Sequence, residues 1–144
     1  YADIVKISET ELELLTGTSD LEKGSALLFN QGISAVLITL GPGGCYFRYY
    51  GGTGRVSAYD VKVVDTTGAG DAFLGGLLYW LSGMSLQEIC RLEMAQFRSI
   101  VEFANATGAL ATTKKGAIPA MPTLEQVNRC LKTVPPPSPN RQIR

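Results

Sequence analysis

Eleven residues constrain this chain more than any others: Val63-Val64-Asp65-Thr66-Thr67-Gly68-Ala69-Gly70-Asp71-Ala72-Phe73. A β-rich segment runs in and an apolar helical segment runs out, so the reversal must fall at the glycines. Gly68 and Gly70 carry no Cβ, which lets the backbone turn tightly and bring its N–H groups against a ligand. A helix starting here aims the positive end of its dipole at the same place, and the two together make an anion cradle. Asp71 falls at the rim, in the first turn. A carboxylate there takes a proton from a hydroxyl while the N–H groups hold charge developing on a transferred group. Phosphoryl transfer is the chemistry this combination suggests; a plain glycine-rich helix entry accounts for the same residues. Two other phosphate motifs are excluded. No Gly-Lys pair closes a P-loop, and Phe73 stands where a dinucleotide fingerprint needs its third glycine.

The chain's 144 residues suit a single domain, and a hydrophobic fraction of 45% supplies its core. Thirteen basic residues balance thirteen acidic ones and are scattered, which argues against nucleic acid and against an anionic membrane surface. Cys45, Cys90 and Cys130 are few and widely spaced, as expected of reduced thiols in a cytoplasmic protein. The absence of histidine removes histidine-based catalysis and, with no Cys-x-x-Cys, zinc sites. No apolar run approaches a membrane span, and the opening residues are not expected to act as a signal peptide. It begins with Tyr1 in a strand-like segment, as expected of a piece of something longer.

Residues 4–7 read as a strand. A helix follows to about Leu15 and ends at Gly17, with Ser8 and Glu11 as a capping box. Residues 20–30 predict an amphipathic helix closing at Gly32, and 35–40 a strand buried on both faces of a parallel sheet. Between Thr39 and Gly44, the run Gly41-Pro42-Gly43-Gly44 reads as a hairpin turn or as a ligand loop at a strand's carboxyl end. Tyr46, Phe47, Tyr49 and Tyr50 belong to a hairpin with an exposed face, and residues 55–59 to its returning strand. Residues 61–64 lead into the glycine junction, and 72–81, apolar almost all round, predict a central helix. Gly75-Gly76 within it require close packing against a strand. From Ser85 the apolar stripe Leu86, Cys90, Met94, Phe97, Val101, Ala104 and Gly108 predicts one helix of six turns, with Asn105 solvated beside it. A loop over 111–120 and a helix from Thr123 to about Lys132, capped with Gln126, complete the pattern. Residues 133–144 are expected to form a proline-rich loose tail.

Asp65-Thr66-Thr67-Gly68-Ala69-Gly70-Asp71 resembles the C-terminal signature of the ribokinase-like carbohydrate kinases. Lys6-Ile7-Ser8-Glu9 and residues 103–122 are similar to the fructokinase branch. The resemblance covers residues 1 to about 132. It implies the α/β fold of that family's C-terminal, nucleotide-binding half, with helices flanking a mostly parallel central sheet. It also implies that Asp71 is the base and that Gly68, Ala69 and Gly70 hold the transferring phosphoryl group. Thr39, Gly41 and Gly44 match the family's nucleotide loop, with Asn105 on the adenine side. Glu11 matches its Asn-x-x-Glu motif for magnesium, with Ser8 where the Asn stands. A monovalent cation, potassium, falls between Asp65 and Thr67 on one side and the main chain of Ala111, Lys114, Gly116 and Ala120 on the other.

The activity implied is ATP-dependent phosphorylation of a sugar hydroxyl, with fructose first and ribose, another keto-sugar or a nucleoside as alternatives. A nucleotide-binding or assembly module inactive alone is the competing expectation. The partners expected are the small-molecule sugar, ATP, a missing N-terminal half and a second copy of the chain. Neither nucleic acid nor a membrane is expected to partner it.

Overall fold

β1 (Ile4–Ser8) and β2 (Ala35–Thr39) pair in parallel, joined through α1 (Glu9–Thr16) and α2 (Leu21–Asn30). The structure, a computed structural model, describes residues 2–134. Local chemistry sets the helix ends. Ser8 N–H donates to Glu11 Oε2 at 2.7 Å and Glu11 N–H returns to Ser8 Oγ at 3.3 Å. Gly17 closes α1 in the left-handed region. Asp20 caps α2 by accepting from Lys23 N–H. From β2 a short 3-10 turn, Gly41–Gly43, leads into β3 (Cys45–Tyr49) and β4 (Gly52–Val56), both antiparallel. The α/β class is as expected. Within the described residues the four-stranded sheet is mixed, in the order β1-β2-β3-β4, with parallel pairing confined to β1 and β2.

Alternation along the strands divides the core. Ile7, Val36 and Ile38 face Leu12 and Leu28 of the first two helices. Ala35, Leu37, Phe47 and Tyr49 face α3 (Ala69–Leu81) and α5 (Met94–Ala111) through Phe73, Leu77, Phe97 and Val101. The hairpin's aromatic residues split along the same lines. Phe47 and Tyr49 are core, Tyr49 stacking on Phe97 at 4.1 Å, whereas Tyr50 is exposed. The return strand starts at Gly52, three residues before the expected Arg55, and Tyr59 lies beyond its end. Gly54 is the reason, since its missing side chain leaves room for the Phe47 ring across the ladder.

Three further expectations give way to tertiary packing. Residues 61–64 form no strand, because Val64 and Asp65 donate their N–H groups to the Thr112 carbonyl at 2.8 and 3.1 Å. The six-turn helix is two, α4 (Leu86–Cys90) and α5, parted at Arg91-Leu92-Glu93. There Tyr49 Oη donates to the Leu92 carbonyl at 3.0 Å, and the Gln96 side chain accepts from Glu93 N–H to start the second helix. α3 is not covered all round, for Leu78, Tyr79 and Trp80 are exposed. α6 (Leu124–Thr133) opens on the expected Thr123–Gln126 box and packs on Phe103 and Ala106. The proline-rich tail lies outside the described residues from 135 onward.

The Gly-Gly pair of α3 packs against a helix and not a strand. A Cβ on Gly76 would stand 3.0 Å from Ala104 Cα and 2.8 Å from Thr107 Oγ1 of α5, whereas one on Gly75 meets open space. Gly76→Ala is therefore expected to destabilise by about 1–3 kcal/mol, while Gly75→Ala stabilises by up to about 1 kcal/mol through helix propensity. Urea midpoints of the two variants check the contrast.

Candidate active site

The first turn of α3 is built to be open. Gly68 stands at its N-cap with φ 77°, and no side chain caps the helix. A Cβ there would meet the Ala117 Cβ at 2.7 Å, so conformation and packing both demand glycine. Ala69 N–H donates to the Thr66 carbonyl at 3.2 Å. The N–H groups of Gly68, Gly70 and Asp71 meet no acceptor among the described residues. Of the three expected cradle residues, Ala69 thus has its donor engaged, and Asp71 adds one. The Asp71 carboxylate is exposed and makes no hydrogen bond or ion pair with any described residue.

Just before this turn, Asp65 ties two loops together. Its Oδ1 accepts from Thr67 N–H at 2.9 Å and its Oδ2 from Gly116 N–H at 3.0 Å. The bonds from Gly116 and Thr67 pull the Asp65 carboxyl down to about 2. Asp65 is thereby brought onto the loop expected to face it. The carbonyls of Ala111, Lys114, Gly116 and Ala120 accept no hydrogen bond among the described residues. Those carbonyls and the Asp65 carboxylate are hard oxygen donors of the kind a hard cation takes. No cluster of three or more acidic, cysteine or histidine side chains suited to a metal occurs among the described residues. A cation at this place relies on main-chain oxygen.

Across from the α3 entry lies the 39–44 turn. Thr39 Oγ1 donates to the Ile7 carbonyl at 3.3 Å, fixing the end of β2 to β1. Gly44, at φ 87°, passes so close to Val56 and Ala58 that any Cβ would overlap their backbone. An open cleft of about 800 Å³ runs between turn and helix, lined among others by Thr39, Gly41, Gly44, Gly70, Asn105 and Thr112. Asn105 is buried, not solvated, and its Nδ2 donates to the Ser57 carbonyl at 2.7 Å. That bond holds the chain beyond β4 along the cleft wall. Ser8 and Glu11 lie outside this lining. The Ser8 N–H and hydroxyl hold the Glu11 carboxyl below its ordinary value, and its Oε1 accepts no hydrogen bond among the described residues. It is ionised, with one oxygen to offer to magnesium or its water.

The model of the pfkB family of carbohydrate kinases matches residues 1–124. The chain belongs to that family. It is 44% identical to fructokinase-1 of Oryza sativa subsp. japonica over 135 residues, which are 92% of this chain and 40% of that protein. A fructokinase double mutant from Vibrio cholerae, solved with fructose, ADP and potassium, superposes with a TM-score of 0.78 at 42% identity, over 90% of this chain and 40% of that one. Aminoimidazole riboside kinase from Salmonella enterica, solved with aminoimidazole riboside and an ATP analogue, gives 0.75 at 37% identity, over 91% and 42%. The chain spans about two fifths of the length of these relatives. No helix among the described residues is long and apolar enough to cross a membrane.

Within this pfkB chain two positively charged residues near the cleft escaped the sequence reading. Arg55 lines it and reaches the Gly43 carbonyl at 3.5 Å. Lys6 lies with its Nζ 2.9 Å from where a Gly70 Cβ would be. A period-2 signal points to Lys6, which shares with Ile4 the strand face that turns toward α3.

The Asp65 bridge carries a pH prediction. Its folded value of about 2 lies below the ordinary value of 3.8, so its stabilisation is complete above pH 4 and lost as pH falls through about 2. Protection of the Gly116 amide from hydrogen exchange should accordingly persist at pH 5 and disappear between about pH 4 and 2.

Proposed function

We propose that residues 1–132 form the nucleotide-binding and catalytic half of an ATP-dependent sugar kinase whose acceptor is fructose. One observation carries the reading: an uncapped helix start, with free N–H groups and an unpaired Asp71, stands at one wall of the cleft in a pfkB chain. ATP lies across the cleft with its adenine toward Asn105 and its phosphates over the 41–44 turn. Asp71 takes the proton of the attacking hydroxyl; the sugar oxygen bonds the terminal phosphorus as the bond to ADP breaks. The N–H groups of Gly68 and Gly70, joined by that of Asp71, hold the charge on the transferring oxygens. Positioning and fixed dipoles supply most of the acceleration.

Two ions fit the residues present. Glu11, with Ser8 behind it, offers an ionised carboxylate toward magnesium, and bound magnesium supplies charge neutralisation on the phosphates. Potassium fits Asp65, Thr67 and the carbonyls of Ala111, Lys114, Gly116 and Ala120, where it would brace the loop behind the cradle. Fructose is favoured because fructokinases of rice and Vibrio cholerae are 44% and 42% identical to this chain. The riboside bound by the Salmonella relative makes a nucleoside-like acceptor the comparison to run.

The decisive experiment expresses the full-length protein and follows ADP release with ATP and fructose, ribose or aminoimidazole riboside. Release that no sugar stimulates rejects the reading. In the same protein Asp71→Asn should cut turnover by about 10²–10⁴-fold or more while leaving ATP affinity nearly unchanged, because the amide cannot accept the proton. Replacing potassium by a bulky organic cation at equal ionic strength should lower activity or weaken ATP; equal values count against the carbonyl site.

A further inference from the structure

α3 ends on an aromatic pair that the active site leaves unused. Tyr79 and Trp80 are 56% and 47% exposed, although both pack on Phe103 of α5, which is buried. The ring centroids form a near-equilateral triangle, 5.7 Å from Tyr79 to Phe103 and 5.8 Å along the other two sides. Tyr79 stacks on Phe103, and Trp80 stands almost perpendicular to both. The result is an aromatic corner with Phe103 at its base and two half-open walls. Neither the Tyr79 hydroxyl nor the Trp80 indole N–H bonds a described residue. Rings of this kind, apolar in body and polar at the tip, suit a surface that is covered on one side and needs a bond at its edge.

Next to this corner the described chain ends. α6 packs on α5 as α3 does, and Val134, just beyond its last turn, packs on the cluster of Phe103, Ala106, Val127 and Cys130. Phe103 thus belongs both to the corner and to the cluster on which the chain's exit rests. The ten residues that follow, 135–144, lie outside the described ones. The first five read Pro135-Pro136-Pro137-Ser138-Pro139. Proline fixes φ near the polyproline II value, and that conformation has no internal hydrogen bonds, so its carbonyls stay open to other donors. At about 3.1 Å per residue, five residues span roughly 15 Å. Both exposed rings lie within 5.8 Å of Phe103, well inside that reach. Proline-rich segments dock on aromatic-lined grooves because they have little conformational freedom to lose.

We infer that the corner made by Tyr79, Trp80 and Phe103 is the docking surface for the chain's own C-terminal segment, Pro135 to Pro139. The proline rings pack on the half-open faces of Tyr79 and Trp80. The indole N–H and the tyrosine hydroxyl donate to carbonyls of the segment. The contact ties the end of α6 to the last turns of α3 across α5, and so braces the helix pair whose other end carries the glycine junction. It does not depend on the sugar-kinase reading. A tether of so few residues holds the segment at millimolar effective concentration, which suffices for a contact too weak to retain a free peptide at ordinary concentration.

The test uses the full-length protein labelled with 5-fluorotryptophan and read by fluorine NMR. The Trp80 resonance is the one that Trp80→Phe removes. It should shift when the chain is truncated after Val134, and in the same sense when Pro135, Pro136 and Pro137 are all changed to glycine. A synthetic peptide of residues 135–140, added at millimolar concentration to the truncated protein, should move the resonance back toward its wild-type position. The same peptide with glycine for proline should not. Truncation and Trp80→Ala should each lower the thermal midpoint by about 1–3 °C, and together by no more than the larger of the two. A Trp80 resonance that truncation leaves in place means that something else covers the corner, or nothing does, and overturns the inference. So do additive losses of midpoint. A truncation shift that disappears when the wild-type protein is diluted puts the segment on another copy of the chain and overturns the contact within one chain.

Discussion

The close crossing of α3 and α5 is the contact on which the site depends. Gly76 lets α3 come down on Ala104 and Thr107, and Gly108 lets α5 meet the Ala69 carbonyl and Phe73 at the other end of the contact. Side chains of ordinary size at these two places would push the axes apart. The crossing does more than fill the core. It sets the first turn of α3 over the last turns of α5, so that the Thr112 carbonyl can hold Val64 and Asp65. Asp65 then seizes Gly116 from the next loop. One helix pair thereby fixes the entry to the glycine junction, the junction itself and the loop behind it.

The other helix starts are closed by nearby side chains, and the start of α3 is left open. Ser8 with Glu11, Ser85 with Glu88 and Thr123 with Gln126 close their own helix starts. α3 alone among the longer helices starts on a glycine with no side-chain cap and no capping box. Leaving N–H groups unpaired costs free energy unless water or a ligand meets them, and an exposed cleft allows both. Preorganisation of this kind keeps dipoles aimed at an anion before it arrives. Asp65 does not compete for those donors. Its carboxylate is spent on Thr67 and Gly116, one residue set back from the cradle.

How much of this was legible in the sequence follows from the range of each interaction. Side-chain caps span three residues, so α1, α2 and α6 could be read with their ends nearly in place. The glycine junction was legible because its demands are local: a left-handed Gly68 and an acidic first turn. What misled were segments decided by distant partners. Val61 to Val64 have the composition of a strand, yet the N–H groups of Val64 and the following Asp65 go to the Thr112 carbonyl, some fifty residues on. The stripe from Leu86 to Gly108 keeps helical period through a break that Tyr49, more than forty residues earlier, helps to hold. Asn105 looked like a surface residue because its partner, the Ser57 carbonyl, comes from the far end of a hairpin. Burial of Cys45, whose thiol is pushed up to about 12, makes it inert in a way that spacing alone could not tell.

Ser8 and Glu11 illustrate how a local cap can leave one carboxylate oxygen open. A glutamate that only capped α1 would need no more than its bond to the Ser8 N–H. Here Oε2 takes both the Ser8 N–H, at 2.7 Å, and the Ser8 hydroxyl, at 2.9 Å, leaving Oε1 without a partner among the described residues. The two bonds lower the carboxyl below its ordinary value, with the Lys6 charge adding to them. The group is thus ionised, oriented and half free, which is what a metal-bound water requires of an outer ligand. The bonds that orient the carboxylate come from the Ser8 hydroxyl and backbone N–H. The cap is the reason the carboxylate is in position.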